Sequence, residues 1–205
     1  MSNITLGMFI THRINTLNED ISKQIFSISD GIEFDIRDSN GYIIVQHDPF
    51  LDGQLLTDFV KYCPSDKFYI VNVKSEGIEQ DAINILESHN ISTFFLLDCS
   101  IPSIIKLKNK GERRTCVRFS EYESLDTIQL MKDVVTWVWI DVFTKMPLNK
   151  DIYTILKSYN LKLCLVSPEL QNQPEKITHY KQYLEDNNII LDAICSKHYN
   201  KIKWC

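Results

Sequence analysis

A compact (β/α)8 barrel in one domain, residues 1–205, is the fold class this sequence predicts, and three observations predict it. Short β-rich runs alternate with amphipathic stretches almost from end to end. The runs are apolar on both faces, as strands of a parallel sheet covered by helices must be. Nearly every run also ends in polar or charged residues, and in α/β folds the carboxyl ends of the strands are where ligands bind.

The runs lie at 7–13, 31–37, 42–48, 67–74, 92–98, 114–120, 136–142, 161–167 and 191–197. Between the second and third, Asp38-Ser39-Asn40-Gly41 reads as a hairpin turn, because Asn-Gly tolerates the left-handed backbone of a tight hairpin. Pairing 42–48 with 31–37 in this way leaves eight strands, a number that suits a barrel. Stretches at 17–28, 77–88, 101–109, 122–131, 149–158 and 174–186 read as helices. Ile78, Ile83, Ile85 and Leu86 lie on one stripe, as do Ile152, Ile155 and Leu156. An open doubly wound sheet is the alternative, since strand order is not written in the runs. Against its usual nucleotide-binding form, neither GxGxxG nor GxxxxGK[ST] occurs, and the chain has only six glycines. A phosphate would then be held mostly by side chains and helix ends. The stretch 168–174 reads as a loop.

Of the residues, 44% are apolar, enough to bury one core. The net charge of -5 creates no global positive field, so neither a nucleic-acid partner nor stable membrane insertion is expected. Trp137, Trp139 and Phe143 fit a strand packing on its covering helices better than a base-stacking surface. An exposed aromatic patch at a shortened barrel face would motivate a homodimer. Residues 1–10 lack a basic region followed by an apolar stretch of secretory length, which points to the cytoplasm. Six cysteines, at 63, 99, 116, 164, 195 and 205, show no CxxC or compact Cys/His spacing and read as buried free thiols.

The strand ends carry the chemistry. Glu33 and Asp35 stand two residues apart, hence on one face of a strand, inside an apolar frame. Two such carboxylates repel each other and lose hydration unless a cation, a proton or a basic side chain compensates. A hard divalent cation is the economical answer, and oxygen donors favour magnesium or calcium; ion pairs with Arg13, Lys74 or Arg118 are the plainer alternative. Asn72 and Lys74 repeat the spacing on the next parallel strand. Asn72 could offer a metal a neutral oxygen, and Lys74 could stabilise a phosphoryl oxygen. His12 and His47 both follow strand runs and are the candidate proton handlers. His89, His179 and His198 lack this placement and read as surface or supporting residues.

Together these residues resemble the glycerophosphodiester phosphodiesterase family, within the phosphatidylinositol-specific phospholipase C-like barrels. The resemblance is carried by Thr11-His12-Arg13, by Gly31-Ile32-Glu33-Phe34-Asp35, and by Val45-Gln46-His47-Asp48-Pro49 after the Asn40-Gly41 turn. It implies a metal-dependent phosphodiesterase in which His12 and His47 act as general acid and base, Arg13 binds phosphate, and Glu33 and Asp35 hold the metal. It also implies a small soluble glycerophosphodiester-like or sugar phosphodiester as substrate. Lys74 and Arg118 join Arg13 as phosphate-binding candidates. The family commonly has a metal-binding glutamate in a Glu-x-Lys motif where this chain has Asn72-Val73-Lys74, so Asp98 and Glu169 are candidate substitutes by position. Ile14 replaces the usual glycine after His-Arg, and the connection from Asp48 to Asn72 is short. The chain also looks like a compact subgroup met among bacterial surface-polysaccharide genes. Two other readings stay open: an inactive barrel that binds a phosphorylated ligand or a protein, and a metal-assisted lyase or isomerase acting on a phosphorylated sugar.

Overall fold

The structure is a computed structural model that describes residues 7–205. The leader reading made on residues 1–10 lies outside them as far as residue 6. The chain forms two compact units, Ile10–Thr115 and Cys116–Cys205 joined by the stretch up to Phe9.

The first unit takes in the last two residues of β1 (Met8–Thr11), then α1 (Glu19–Ile28) and the long strand β2 (Gly31–Ser39). Asn18 caps α1, its side chain accepting the Ile21 N–H at 2.9 Å, and Glu19 and Asp20 face the positive end of the helix dipole. A tight hairpin joins β2 to β3 (Tyr42–Val45). Ser39 pairs with Tyr42 across it, and Asn40 and Gly41 both take positive φ, 50° and 81°. That geometry matches the twist of the flanking strands, so the turn predicted from Asn-Gly forms as expected. Then come β4 (Gln54–Leu55), α2 (Leu56–Phe59), β5 (Phe68–Val73), α3 (Glu79–Ser88), β6 (Phe94–Leu97) and α4 (Ile101–Asn109). β1, β2, β5 and β6 are parallel in that order, while β3 and β4 extend the sheet antiparallel from β2.

Period two along β2 sorts its side chains. Ile32, Phe34 and Ile36 enter a core shared with Phe26, Phe59 and Tyr69, with the Phe34 and Phe59 rings 4.7 Å apart. Glu33, Asp35 and Arg37 occupy the other parity. On β5, Tyr69, Val71 and Val73 join the same core, which leaves Asn72 on the opposite parity beside Asp35 in register. Gly31 is required by packing: a Cβ there would stand 2.1 Å from the Phe68 carbonyl oxygen. Only a glycine lets β2 and β5 approach this closely where β2 begins.

The second unit continues with β7 (Cys116–Phe119), α5 (Leu125–Met131), β8 (Trp137–Ile140), α6 (Lys150–Ser158), β9 (Lys162–Val166), α7 (Ile177–Asp186), β10 (Ala193–Ser196) and α8 (Lys201–Trp204). β7 to β10 run parallel in sequence order, and Trp137 and Trp139 are buried in the strand, as expected of packing residues. The predicted loop at 168–174 instead contains the 3-10 turn Pro168–Gln171 and starts a second at Pro174.

Every β-rich run of the sequence becomes a strand, and every helical stretch contains a helix. β4, α2 and α8, of two to four residues each, went unpredicted, because such short pieces are too brief to show a period. The cysteines are free thiols; Cys63, Cys116, Cys164 and Cys195 are buried as expected, whereas Cys99 is half-buried and Cys205 is exposed. Among the described residues, no helix is long and apolar enough to cross a membrane.

Candidate active site

The site is built on the carboxyl half of β2. Glu33 and Asp35 are both completely buried. Burial, followed by the neighbouring Asp35 charge, raises the Glu33 carboxyl from 4.5 to about 7, against smaller opposing pulls from the Arg13 N–H, Asn72 and Lys74.

The turn after β1 supplies much of the compensation. Arg13 takes a left-handed φ of 55°, and its N–H donates to Glu33 Oε2 at 2.7 Å while the Ile14 N–H donates to the Glu33 carbonyl at 2.9 Å. A non-glycine residue in this region is strained, and the two donors hold it there. The Arg13 Nε lies 3.6 Å from Asp35 Oδ2, and His12 Nε2 lies 3.6 Å from Glu33 Oε2. Asn15 completes the turn: its Nδ2 donates to Asp35 Oδ2 and its Oδ1 accepts the Asp35 N–H, both at 2.9 Å. The sequence reading missed Asn15, since an irregular turn offers no period to follow.

β5 supplies the other side. Asn72 Nδ2 donates to Glu33 Oε1 at 3.1 Å, and Lys74 Nζ lies 3.5 Å from Asp35 Oδ1 and 3.1 Å from Asp98 Oδ2. Asp98, just past β6, has a φ of 63°, which aspartate tolerates better than most side chains. Asp98 thus serves as a counter-charge to Lys74.

His47 follows β3. Its Nδ1 lies 2.7 Å from Asp48 Oδ1. Asp48 is held below the ordinary carboxylate range, first by the hydrogen bond with His47 and less by the charges of His47, Arg13 and Arg37. The loop is anchored at both ends. The Gln46 N–H donates to the Asp35 carbonyl at 3.0 Å, and the Gln54 side chain on β4 clamps the Leu17 N–H and carbonyl at 3.0 and 2.9 Å. The structure therefore gathers His12, Arg13, Glu33, Asp35, Asn72, Lys74 and Asp98 through direct contacts, while His47 is linked to them along the chain, through the neighbouring Gln46 N–H that donates to the Asp35 carbonyl.

Asn72 Oδ1 is buried without a hydrogen-bond partner, and Asp35 Oδ1, which also accepts no hydrogen bond, has the Lys74 ammonium 3.5 Å away. Buried acceptors of this kind cost free energy unless a cation or a donor meets them. Two carboxylates with an amide oxygen are the donor chemistry of a hard divalent cation, so these residues fit magnesium or calcium. Among the described residues, no group of three or more His, Cys, Asp or Glu side chains is arranged for a metal, and Asn72 supplies a neutral oxygen beside the two carboxylates.

Arg118 and Glu169 belong to the second unit. Arg118 pairs with Asp141, whose carboxyl burial raises from 3.8 to about 6. Glu169 accepts from the hydroxyls of Ser167 and Ser196 and from the Lys197 N–H at 3.1 Å, so its oxygens are engaged in tying the ends of β9 and β10. Trp204 Nε1–H donates to the same Ser167 hydroxyl at 2.8 Å.

Solved structures share this arrangement of elements. A glycerophosphodiester phosphodiesterase from Agrobacterium tumefaciens is 13% identical, with a TM-score of 0.63 over 94% of this chain and 98% of that one. An Oleispira antarctica phosphodiesterase, solved in complex with the product sn-glycerol-3-phosphate, is 15% identical, with a TM-score of 0.65 over 97% and 96%. A glycerophosphoryl diester phosphodiesterase from Parabacteroides distasonis is 9% identical, with a TM-score of 0.64 over 96% and 85%. The chain has the glycerophosphodiester phosphodiesterase fold. That fold is a (β/α)8 barrel, the fold class predicted from the alternating runs. No family model matches the sequence, and no curated relative does. At these identities the phosphodiesterase fold is what the likeness conveys, and the chemistry rests on the residues above.

Proposed function

We propose that this protein is a single-domain phosphoric diester hydrolase that acts on a small soluble glycerophosphodiester-like or sugar phosphodiester. One observation carries the reading: Glu33 and Asp35, buried side by side, are met by His12, Arg13, Asn72 and Lys74 from two neighbouring strand ends. A buried carboxylate pair with cationic, amide and imidazole neighbours is costly to build for stability alone, and its parts are those that phosphoryl transfer uses.

Arg13 and Lys74 oppose the negative charge that grows on the phosphoryl oxygens. His12 and His47 handle the two protons, one accepting from the attacking oxygen and the other donating to the departing alkoxide. Asp48 fixes the His47 ring through Nδ1, which leaves Nε2 to face the substrate. Glu33, Asp35 and Asn72 would hold a divalent cation, magnesium or calcium, which when bound polarises a phosphoryl oxygen. Free thiols support a cytoplasmic setting.

The test is turnover of a panel of glycerophosphodiesters and sugar phosphodiesters, with and without magnesium or calcium. H12A and H47A should each lower kcat by about a hundredfold or more while circular dichroism stays native. Absence of turnover across the panel, with phosphate monoesters still bound, would instead favour a ligand-binding barrel. Asn72, in place of the family's third carboxylate, is the residue that gives that second reading its weight.

A further inference from the structure

Beside the carboxylate cluster, and outside the roles just assigned, the first unit carries a groove of about 420 Å³ whose lining includes Arg37, Asp38, Ile44, Phe50, Leu51 and Asp52. Two of these residues are unfavourable as the chain leaves them. The Nε of Arg37 is buried and makes no hydrogen bond among the described residues. A guanidinium N–H out of water and unpaired is a donor waiting for an acceptor. Phe50 is fully exposed, at 102% of its reference area, and takes a φ of 64°. Positive φ is a true outlier for a bulky side chain, so this residue combines backbone strain with an unburied ring.

The position of the groove relates it to the reaction. Arg37 continues the face of Glu33 and Asp35 by one more strand period, roughly 7 Å farther along β2. Phe50 lies three residues past His47, in a loop closed at its base by the Gln46 side chain, whose Nε2 donates to the Asp52 carbonyl at 2.9 Å and whose Oε1 accepts the Asp48 N–H at 3.2 Å. The same short loop therefore carries the proton-handling imidazole and the exposed ring. A group attached to the phosphorus on the His47 side would meet Phe50 and Arg37 next.

We propose that this groove binds the alcohol portion of the substrate, and that Arg37 selects an alcohol bearing an anionic group while Phe50 covers its carbon frame. The proposal rests on the phosphodiesterase reading and names the substrate class of that site. Asp38 and Asp52 also line the groove, but both residues are exposed, and exposed charges are weakened by water and salt. The desolvated Arg37 donor is the stronger determinant.

The experiment compares kcat/KM for three diesters of glycerol phosphate whose second alcohol is cationic (choline), neutral (glycerol) or anionic (phosphorylated glycerol). Wild type should favour the anionic alcohol by about tenfold or more, the size expected of a charge-assisted hydrogen bond. R37Q should abolish that preference through KM, and F50S should raise KM for all three. R37K, which keeps the charge and loses the Nε donor, should lose most of the preference and serves if R37Q fails to fold. Equal rates on the three alcohols, a preference for choline, or a preference that survives in R37Q and R37K would overturn the proposal. Calorimetric binding of glycerol bisphosphate against glycerol monophosphate supplies an arm free of turnover. If no diester is hydrolysed, the phosphodiesterase reading fails, and the groove assignment fails as well only if the bisphosphate binds no tighter than the monophosphate or binds R37Q equally well.

Discussion

Replacing Glu33 by glutamine separates the electrostatics of the buried pair from its hydrogen bonding. The Glu33 carboxyl is raised from 4.5 to about 7, chiefly by burial and then by Asp35. The folded chain therefore binds this proton more tightly than the unfolded chain, and between those two pH values it holds more protons. Its contribution to stability is full below pH 4.5 and is lost as pH rises through about 7. That interval corresponds to about 3 kcal/mol. Glutamine cannot ionise, but it turns one acceptor into a donor where the Arg13 N–H and the Asn72 amide both donate, at a cost of about 1 to 3 kcal/mol. E33Q should thus be less stable than wild type at pH 5 and as stable or more stable at pH 8. Urea denaturation in chelator at several pH values measures this. Asp141, also raised, adds a slope of the same sign below about pH 6, so the informative quantity is the difference between wild type and E33Q. A difference that stays flat with pH, or that grows against E33Q at high pH, refutes the reasoning.

Adding magnesium or calcium at pH 8 should restore stability to wild type, by about 2.7 kcal/mol at a hundredfold excess over Kd, and should do little for E33Q; denaturation midpoints report it. N15A removes the reciprocal pair with Asp35 and should destabilise the fold by about 2 to 3 kcal/mol while lowering kcat/KM, which denaturation and diester hydrolysis measure together. G31A places a methyl against the Phe68 carbonyl and should lower the yield of folded protein far more than G41A, whose added Cβ meets no atom, although both positions can be compared by thermal melts. W204A should cost about 3 to 5 kcal/mol from the cavity and the lost Ser167 bond, with the loss absent from W204A if α8 does not pack as described.

Continuous apolar runs were strong guides because the strands are buried on both faces: a run such as Phe68–Val73 reads as a strand with no knowledge of its neighbours. The two-residue period of a strand placed Glu33 and Asp35 on one face, and it was also sufficient to put Arg37 on that face, which went unread because Arg37 lies near the hairpin end. Asn15 and Gln54 were invisible for a different reason. Each acts on a backbone group 20 or 37 residues away, and nothing local in the sequence reports such a bond.

What the sequence by itself determined is therefore the succession of strands and helices, the Asn40-Gly41 turn and the burial of two carboxylates on one strand face, since each follows from local sterics and period. Only the tertiary structure decided which groups answer those carboxylates: the left-handed Arg13 that aims its N–H at Glu33, the amide of Asn72, and the Lys74 ammonium between Asp35 and Asp98. Those pairings depend on strand register and on positive-φ turns, which are set by packing across the sheet and not by the neighbours of each residue along the chain.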